Sequence, residues 1–142
     1  MIYADTSALI KRYLAEPGSS TFDELFLSRG PMAISRLNFV EIRCALARRR
    51  RNGQIDASLE TDALKELHAD LHDGALVLHA VTDSQLSAAF HLIESLLPLP
   101  LRSLDALHLA IARDIAADEF ATADKIQADA AAALGLTVHR FY

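Results

Sequence analysis

Four acidic residues occupy positions in this chain where a carboxylate is costly: Asp5, Glu41, Asp105 and Asp124. Asp5 ends the apolar run Ile2-Tyr3-Ala4 and is followed by Thr6 and Ser7. Glu41 interrupts an apolar helical stripe of Leu37, Val40 and Cys44. Asp105 lies at the start of the apolar helix Leu104 to Ala112, and Asp124 follows the strand-like piece Phe120 to Thr122. A carboxylate taken out of water needs a partner or a metal. No Lys or Arg in an equally apolar setting accompanies these four. Taken singly, Asp5 and Asp124 read as helix N-caps, and Asp105 as an acid placed at the positive end of a helix dipole. Glu41 has no such reading. Together they point to oxygen ligands around one hard divalent cation, Mg²⁺ or Mn²⁺. Without a cation, acids this close would repel one another and bind protons more tightly. With one, the chemistry on offer is activation of water and in-line displacement at a phosphoryl centre.

The other candidates are weaker. His68 and His72 have the i, i+4 spacing of metal ligands, but Lys65, Glu66, Asp70 and Asp73 surround them, as on a solvated helix face. His108 comes one turn after Asp105 and is expected to pack or support rather than act as a general base. Cys44 reads as a small buried hydrophobe. Arg48-Arg49-Arg50-Arg51 has two readings. The run is either a helix end favoured by the C-terminal dipole, or a phosphate-tracking patch beside the acids. Four residues in one helical turn cannot all face one partner.

The elements that must position these residues follow from apolar runs and their punctuation. Strands are expected at Ile2 to Asp5, Met32 to Ile34, Leu76 to Ala80, Glu119 to Thr122 and Leu136 to His139. Helices are expected from Ser7 to Ala15, from a Ser19 or Ser20 cap to Ser28, and from Leu37 to Arg51. Further helices run from an Asp56 cap to His72, from Thr82 or Asp83 to the prolines Pro98 and Pro100, from a Ser103 cap to Ala117, and from Ala123 to Leu134. Strands and helices alternate, which predicts an α/β fold with a parallel sheet covered on both faces. Ligands of such sheets bind beyond the carboxyl ends of the strands. Asp5 and Asp124 stand there, and they meet if their strands are neighbours.

With 142 residues and no compositional break, the chain reads as one domain spanning 1–142. At 51% hydrophobic and 23% charged it is globular rather than disordered. The net charge of −5 does not itself suggest nucleic-acid binding. Its distribution is uneven: residues 1–51 hold nine Lys/Arg and five Asp/Glu, whereas 52–142 hold five and fourteen. The single cysteine excludes an intrachain disulfide and suits a reducing compartment. No signal-like or membrane-spanning stretch is visible, so a cytoplasmic protein is expected.

Four segments carry a family resemblance: Ile2-Tyr3-Ala4-Asp5-Thr6-Ser7-Ala8-Leu9, Ser35-Arg36-Leu37-Asn38-Phe39-Val40-Glu41, Leu104-Asp105-Ala106-Leu107-His108-Leu109-Ala110 and Ala121-Thr122-Ala123-Asp124-Lys125. In this order and at this length the chain resembles the PIN-domain ribonucleases, above all the VapC-like toxins of type II toxin–antitoxin systems. The likeness extends over essentially the whole chain, including Glu16-Pro17-Gly18-Ser19. It implies a single PIN-like domain, with about five short strands flanked by about seven helices. It implies a Mg²⁺- or Mn²⁺-dependent endoribonuclease with Asp5, Glu41, Asp105 and Asp124 as the catalytic, metal-holding quartet. Ser7 and Thr122 would support it. It also implies a homodimer, an antitoxin protein that blocks the site, and a structured RNA substrate.

Three other classes remain at this point. A phosphatase of the haloacid-dehalogenase type also places an Asp after its first strand. It wants a second acid two residues on, where this chain has Ser7. A receiver-type module would need an acidic pair before its Asp, and none is visible. A PIN fold kept as an inactive interaction module is the remaining alternative, against which the intact quartet argues.

Overall fold

The computed structural model describes residues 1–142 as a five-stranded, wholly parallel sheet with helices on both faces. In chain order the elements are β1 (Ile2–Ala4), α1 (Thr6–Tyr13), α2 (Ser19–Arg29), β2 (Met32–Ser35), α3 (Arg36–Arg51), α4 (Ala57–His72) and β3 (Leu76–His79). Then come α5 (Asp83–Ser95), α6 (Ser103–Asp114), β4 (Glu119–Thr122), α7 (Lys125–Ala133) and β5 (Thr137–Arg140). The strands lie in the order β3-β2-β1-β4-β5. The chain thus builds outward from β1 in one direction, then returns to place β4 on its other side. The point of reversal lies between β1 and β4, paired as Ile2↔Glu119, Tyr3↔Phe120 and Ala4↔Ala121.

The strands divide the core by their two-residue alternation. Ile2, Ala4, Met32, Ile34 and Ala121 face one apolar layer with Leu9, Phe22, Ile42, Leu46 and Leu67 from α1 to α4. Tyr3, Ala33 and Phe120 face the other, with Leu92, Leu109, Ile111 and Ala130 from α5 to α7. β1 and β2 are buried on both faces, as parallel central strands must be.

Five strands and seven helices were expected and are present; the differences lie at the ends. α1 starts at Thr6, one residue early, because Asp5 is its cap and accepts from the Ala8 N–H at 2.9 Å. α2 is capped by Gly18, not by Ser19 or Ser20. Ser19 is the first helical residue and turns its hydroxyl back to the Leu14 carbonyl at 2.9 Å. Gly18 itself has φ +90°, which favours glycine, and a Cβ there would also stand a tight 3.2 Å from the Phe141 carbonyl oxygen. Ser103 likewise begins α6 rather than capping it; Arg102 holds the cap position. α7 begins at Lys125, two residues late, since Asp124 is its cap.

α3 corrects a larger expectation. Its buried residues are Asn38, Ile42 and Leu46, whereas Val40 is 68% exposed. Cys44 is exposed too, not buried. Glu41 therefore does not break a buried stripe; it borders the core face and is half-buried.

Candidate active site

The carboxyl ends of β1 and β4 deliver the first two acids together, as neighbouring strands require. Asp5 directly follows β1 and is only 2% exposed. Ser7 Oγ donates to its two oxygens at 2.8 and 2.9 Å, and Thr122 Oγ1 donates to Oδ2 at 2.7 Å. Each hydroxyl is itself oriented by a backbone N–H: Ala123 N donates to Ser7 at 2.8 Å and Asp124 N donates to Thr122 at 3.0 Å. Ser7 and Thr122, the two residues expected to support the acids, thus both donate to Asp5. Burial pushes the Asp5 carboxyl up to about 6, although His108 and these hydrogen bonds pull the other way.

Glu41 reaches the same place from α3. Its Oε1 accepts from Thr6 Oγ1 at 2.8 Å and from His108 Nε2 at 2.5 Å. Burial raises the Glu41 carboxyl, but the His108 and Thr6 bonds outweigh it and hold the carboxyl below its ordinary range. His108, 2% exposed, pairs through Nδ1 with the Tyr3 hydroxyl at 2.7 Å. It touches Glu41 rather than Asp105, one turn away in its own helix.

Asp105 and Asp124 are linked by a cation. Arg102 Nε donates to Asp105 Oδ2 at 3.1 Å, and another guanidinium nitrogen lies 3.6 Å from Asp124 Oδ2. Burial nonetheless leaves the Asp105 carboxyl above its ordinary range. Asp124 also caps α7, accepting from Gln127 N at 2.9 Å. Gln127 Nε2 in turn donates to the Asp105 carbonyl at 3.3 Å.

All four acids line one cavity of about 510 Å³. They share it but do not stand as a closed cage: no three His, Cys, Asp or Glu side chains converge at metal-ligand spacing. The donor set still fits a hard cation. The four acids offer carboxylate oxygens, and Asp5 is a buried carboxylate that hydroxyls and a backbone N–H contact but no Lys or Arg does.

Cations also line the cavity, two turns along α3 from Glu41. Arg48 and Arg49 line it, and Arg50 and Arg51 do not. Lys11, 8% exposed, corrects the expectation that no buried cation accompanies the acids. Its Nζ donates to the Pro17 carbonyl at 2.7 Å and to Glu16 Oε1 at 3.2 Å, while Arg49 meets Glu16 Oε2 at 2.9 Å. Lys11 left little signal in the sequence, because it stands beside Arg12 in the last turn of α1, where cations are ordinary. Tyr3 left none. Arg102 left the i, i+3 spacing to Asp105. His68 and His72 are exposed on α4, outside the cavity, as a solvated face requires.

The class defined by this fold and site is an α/β domain with an acidic cavity at its topological switch point. The chain belongs to the PIN domain family, whose model matches residues 2–133. It is 34% identical over 139 residues to Ribonuclease VapC46 of Mycobacterium tuberculosis, covering 96% of this chain and 95% of that protein. Among solved structures, it resembles the Mycobacterium tuberculosis sarcin-ricin-loop-cleaving toxin VapC20, with TM-score 0.69, 17% identity and coverage of 94% and 95%. It also resembles VapBC2 of Rickettsia felis bound to a promoter DNA fragment, with TM-score 0.64, 15% identity and full coverage of both chains. No helix is long and apolar enough to cross a membrane.

Proposed function

We propose that this PIN-domain protein is a divalent-metal-dependent endoribonuclease, the toxin of a type II toxin–antitoxin pair. The observation that carries the reading is the arrival of four acids, from four separate segments, in one cavity at the reversal point of the sheet. Family membership and the VapC46 relative support it. Asp5, Glu41, Asp105 and Asp124 would hold Mg²⁺ or Mn²⁺, which supplies an activated water and charge neutralisation at the phosphodiester.

The chain's own groups prepare that chemistry. Ser7, Thr122 and the Ala8 N–H fix both oxygens of Asp5. Thr6 and His108 fix Glu41 and favour its ionised form. Arg48 and Arg49 supply positive charge for the RNA backbone further along the same cavity. The substrate class is structured RNA, the partner an antitoxin that covers the site, the assembly a homodimer and the location the cytoplasm. A phosphatase of the haloacid-dehalogenase type lacks support, because Ser7 stands where its second acid belongs.

The test is incubation of purified protein with total cellular RNA and Mg²⁺, followed by sequencing of new 5′ ends. Discrete ends that vanish with EDTA are expected. An unchanged RNA population would favour the inactive interaction module.

Mg²⁺ or Mn²⁺ is expected to raise the melting temperature, and EDTA to reverse the rise. Metal bound only by the folded state stabilises by mass action, by about 2.7 kcal/mol at 100 times Kd. The unfolded chain cannot gather acids spread from residue 5 to residue 124. A melting temperature unmoved by millimolar metal would count against the quartet as ligands.

The arginine run now gives a sharper expectation than it did as a bare sequence. Changing Arg48 and Arg49 to Gln should weaken RNA binding and flatten its salt dependence, by roughly 0.7 in the log–log slope per lost phosphate contact for single strands. The same change at Arg50 and Arg51 should leave the slope alone. Titrations of labelled RNA at several salt concentrations compare the pairs. Equal slopes in all three proteins would leave only the helix-end role, worth about 0.3–1 kcal/mol per cation.

A further inference from the structure

We propose that Arg102 is a built-in competitor of the divalent cation, holding Asp105 and Asp124 through its guanidinium and yielding them when metal binds. The proposal rests on the metal-dependent reading above and adds the residue that sets how much metal the site requires.

The geometry is that of a removable counterion. One guanidinium spans two acids from different elements, 3.1 Å from Asp105 Oδ2 and 3.6 Å from Asp124 Oδ2. These oxygens belong to carboxylates that are 16% and 30% exposed, whereas the Arg102 side chain is 76% exposed. Asp124 is also anchored by the Gln127 N–H, whereas the Asp105 carboxylate has no side-chain hydrogen bond but that from Arg102, so the cation is the exposed and replaceable member of the group. Arg102 makes no side-chain cap bond to α6, so its side chain can leave without cost to the helix. An arginine does not lose its proton at working pH, so it can free the acids only by moving. Asp105 and Asp124 repel each other, and the guanidinium relieves that repulsion. A dication among Asp5, Glu41, Asp105 and Asp124 relieves it more fully. The two cations therefore exclude each other from the same oxygens.

The alternative is an ordinary surface ion pair that touches the site by accident. The two readings differ in the sign of one measurement. If Arg102 competes, Arg102→Gln binds metal more tightly, by roughly three- to tenfold for one exposed to half-exposed charge pair or two. Its metal-free melting temperature falls, because two carboxylates lose their counterion, and its metal-induced rise grows. Arg102→Lys keeps a cation at hand and stays near wild type.

The experiment is calorimetric titration of Mn²⁺ into wild type, Arg102→Gln and Arg102→Lys, with melting curves at each metal concentration. Tighter binding by Arg102→Gln alone supports the proposal. Binding by Arg102→Gln that is no tighter than that of wild type overturns it and leaves the metal reading standing. Equal melting shifts with and without metal also overturn it, since they mark a purely structural residue. If wild type itself binds no metal, the metal reading fails and the role of Arg102 fails with it.

Discussion

Asp5→Asn is expected to abolish RNA cleavage while making the metal-free protein more stable. The substitution keeps size and the ability to cap α1. It removes the charge from the most buried acid of the quartet, 2% exposed. Even residues that stand behind metal ligands cost roughly 10–100-fold when changed, so loss of a ligand should exceed that. Cleavage within a few fold of wild type at matched Mg²⁺ would remove Asp5 from the catalytic set. Burial holds the Asp5 carboxyl near 6, above its value in the unfolded chain. The folded state therefore binds that proton more tightly. The stability this confers is fully present below about pH 4 and is lost as the pH rises through 6. The full difference is about 3 kcal/mol. In Asp5→Asn that slope should flatten, and the protein should gain about 1–2 kcal/mol at pH 8 after allowance for weaker hydrogen bonds. Denaturant midpoints from pH 4 to pH 8, in EDTA, measure both.

His108→Leu should damage stability and activity together. His108 bridges the Tyr3 hydroxyl and Glu41 with almost no exposure. Leucine removes both bonds. The Tyr3 hydroxyl keeps only its contacts with Ser35, at 3.0 Å, and Asn38, at 3.4 Å. Glu41 keeps only Thr6 and is no longer fixed. A cost of about 2–4 kcal/mol follows from the lost pairs and the poorly solvated partners left behind. Tighter or unchanged folding would show that the imidazole is a packing unit and nothing more. Full activity in the folded variant would show that Glu41 needs no help in facing the cavity.

The strands were legible because each is a short apolar run between Gly, Pro or polar punctuation, and their alternation with helices leaves few topologies open. The four acids singled out in the sequence do line one cavity, but the reason given for Glu41 did not hold, since its supposed stripe partners Val40 and Cys44 are exposed. What failed was any inference that needed to know which face of a helix turns inward. Along α3 the apolar residues Val40 and Cys44 suggest one stripe, yet the buried stripe is Asn38, Ile42 and Leu46. A polar residue joins the core there because Asn38 donates to the Ala4 carbonyl at 3.1 Å and accepts from Ser35 N at 2.8 Å. Hydropathy cannot register a partner that lies in another strand. Ser19 failed as a cap for the same reason: its hydroxyl had a better-placed carbonyl behind it, that of Leu14. Arg102 showed its local partner Asp105 by spacing but not Asp124, and Lys11 showed neither Glu16 nor the Pro17 carbonyl, because these partners are brought up by the fold.

The hydrogen bond from Thr122 to Asp5 joins residues 117 apart in the chain. Synthesis runs from the N-terminus, so Asp5 leaves the ribosome long before the groups that orient it. Until β4 exists, β1 is an edge strand, and Asp124 has not been made. A chain that stops short of β4 thus carries at most three of the four acids and none of the sheet pairing that brings Asp5 to Asp124. For a protein whose proposed target is RNA, the order of assembly is itself a safeguard: the ribosome that makes it is exposed to the finished site only after nearly all of the chain has been translated.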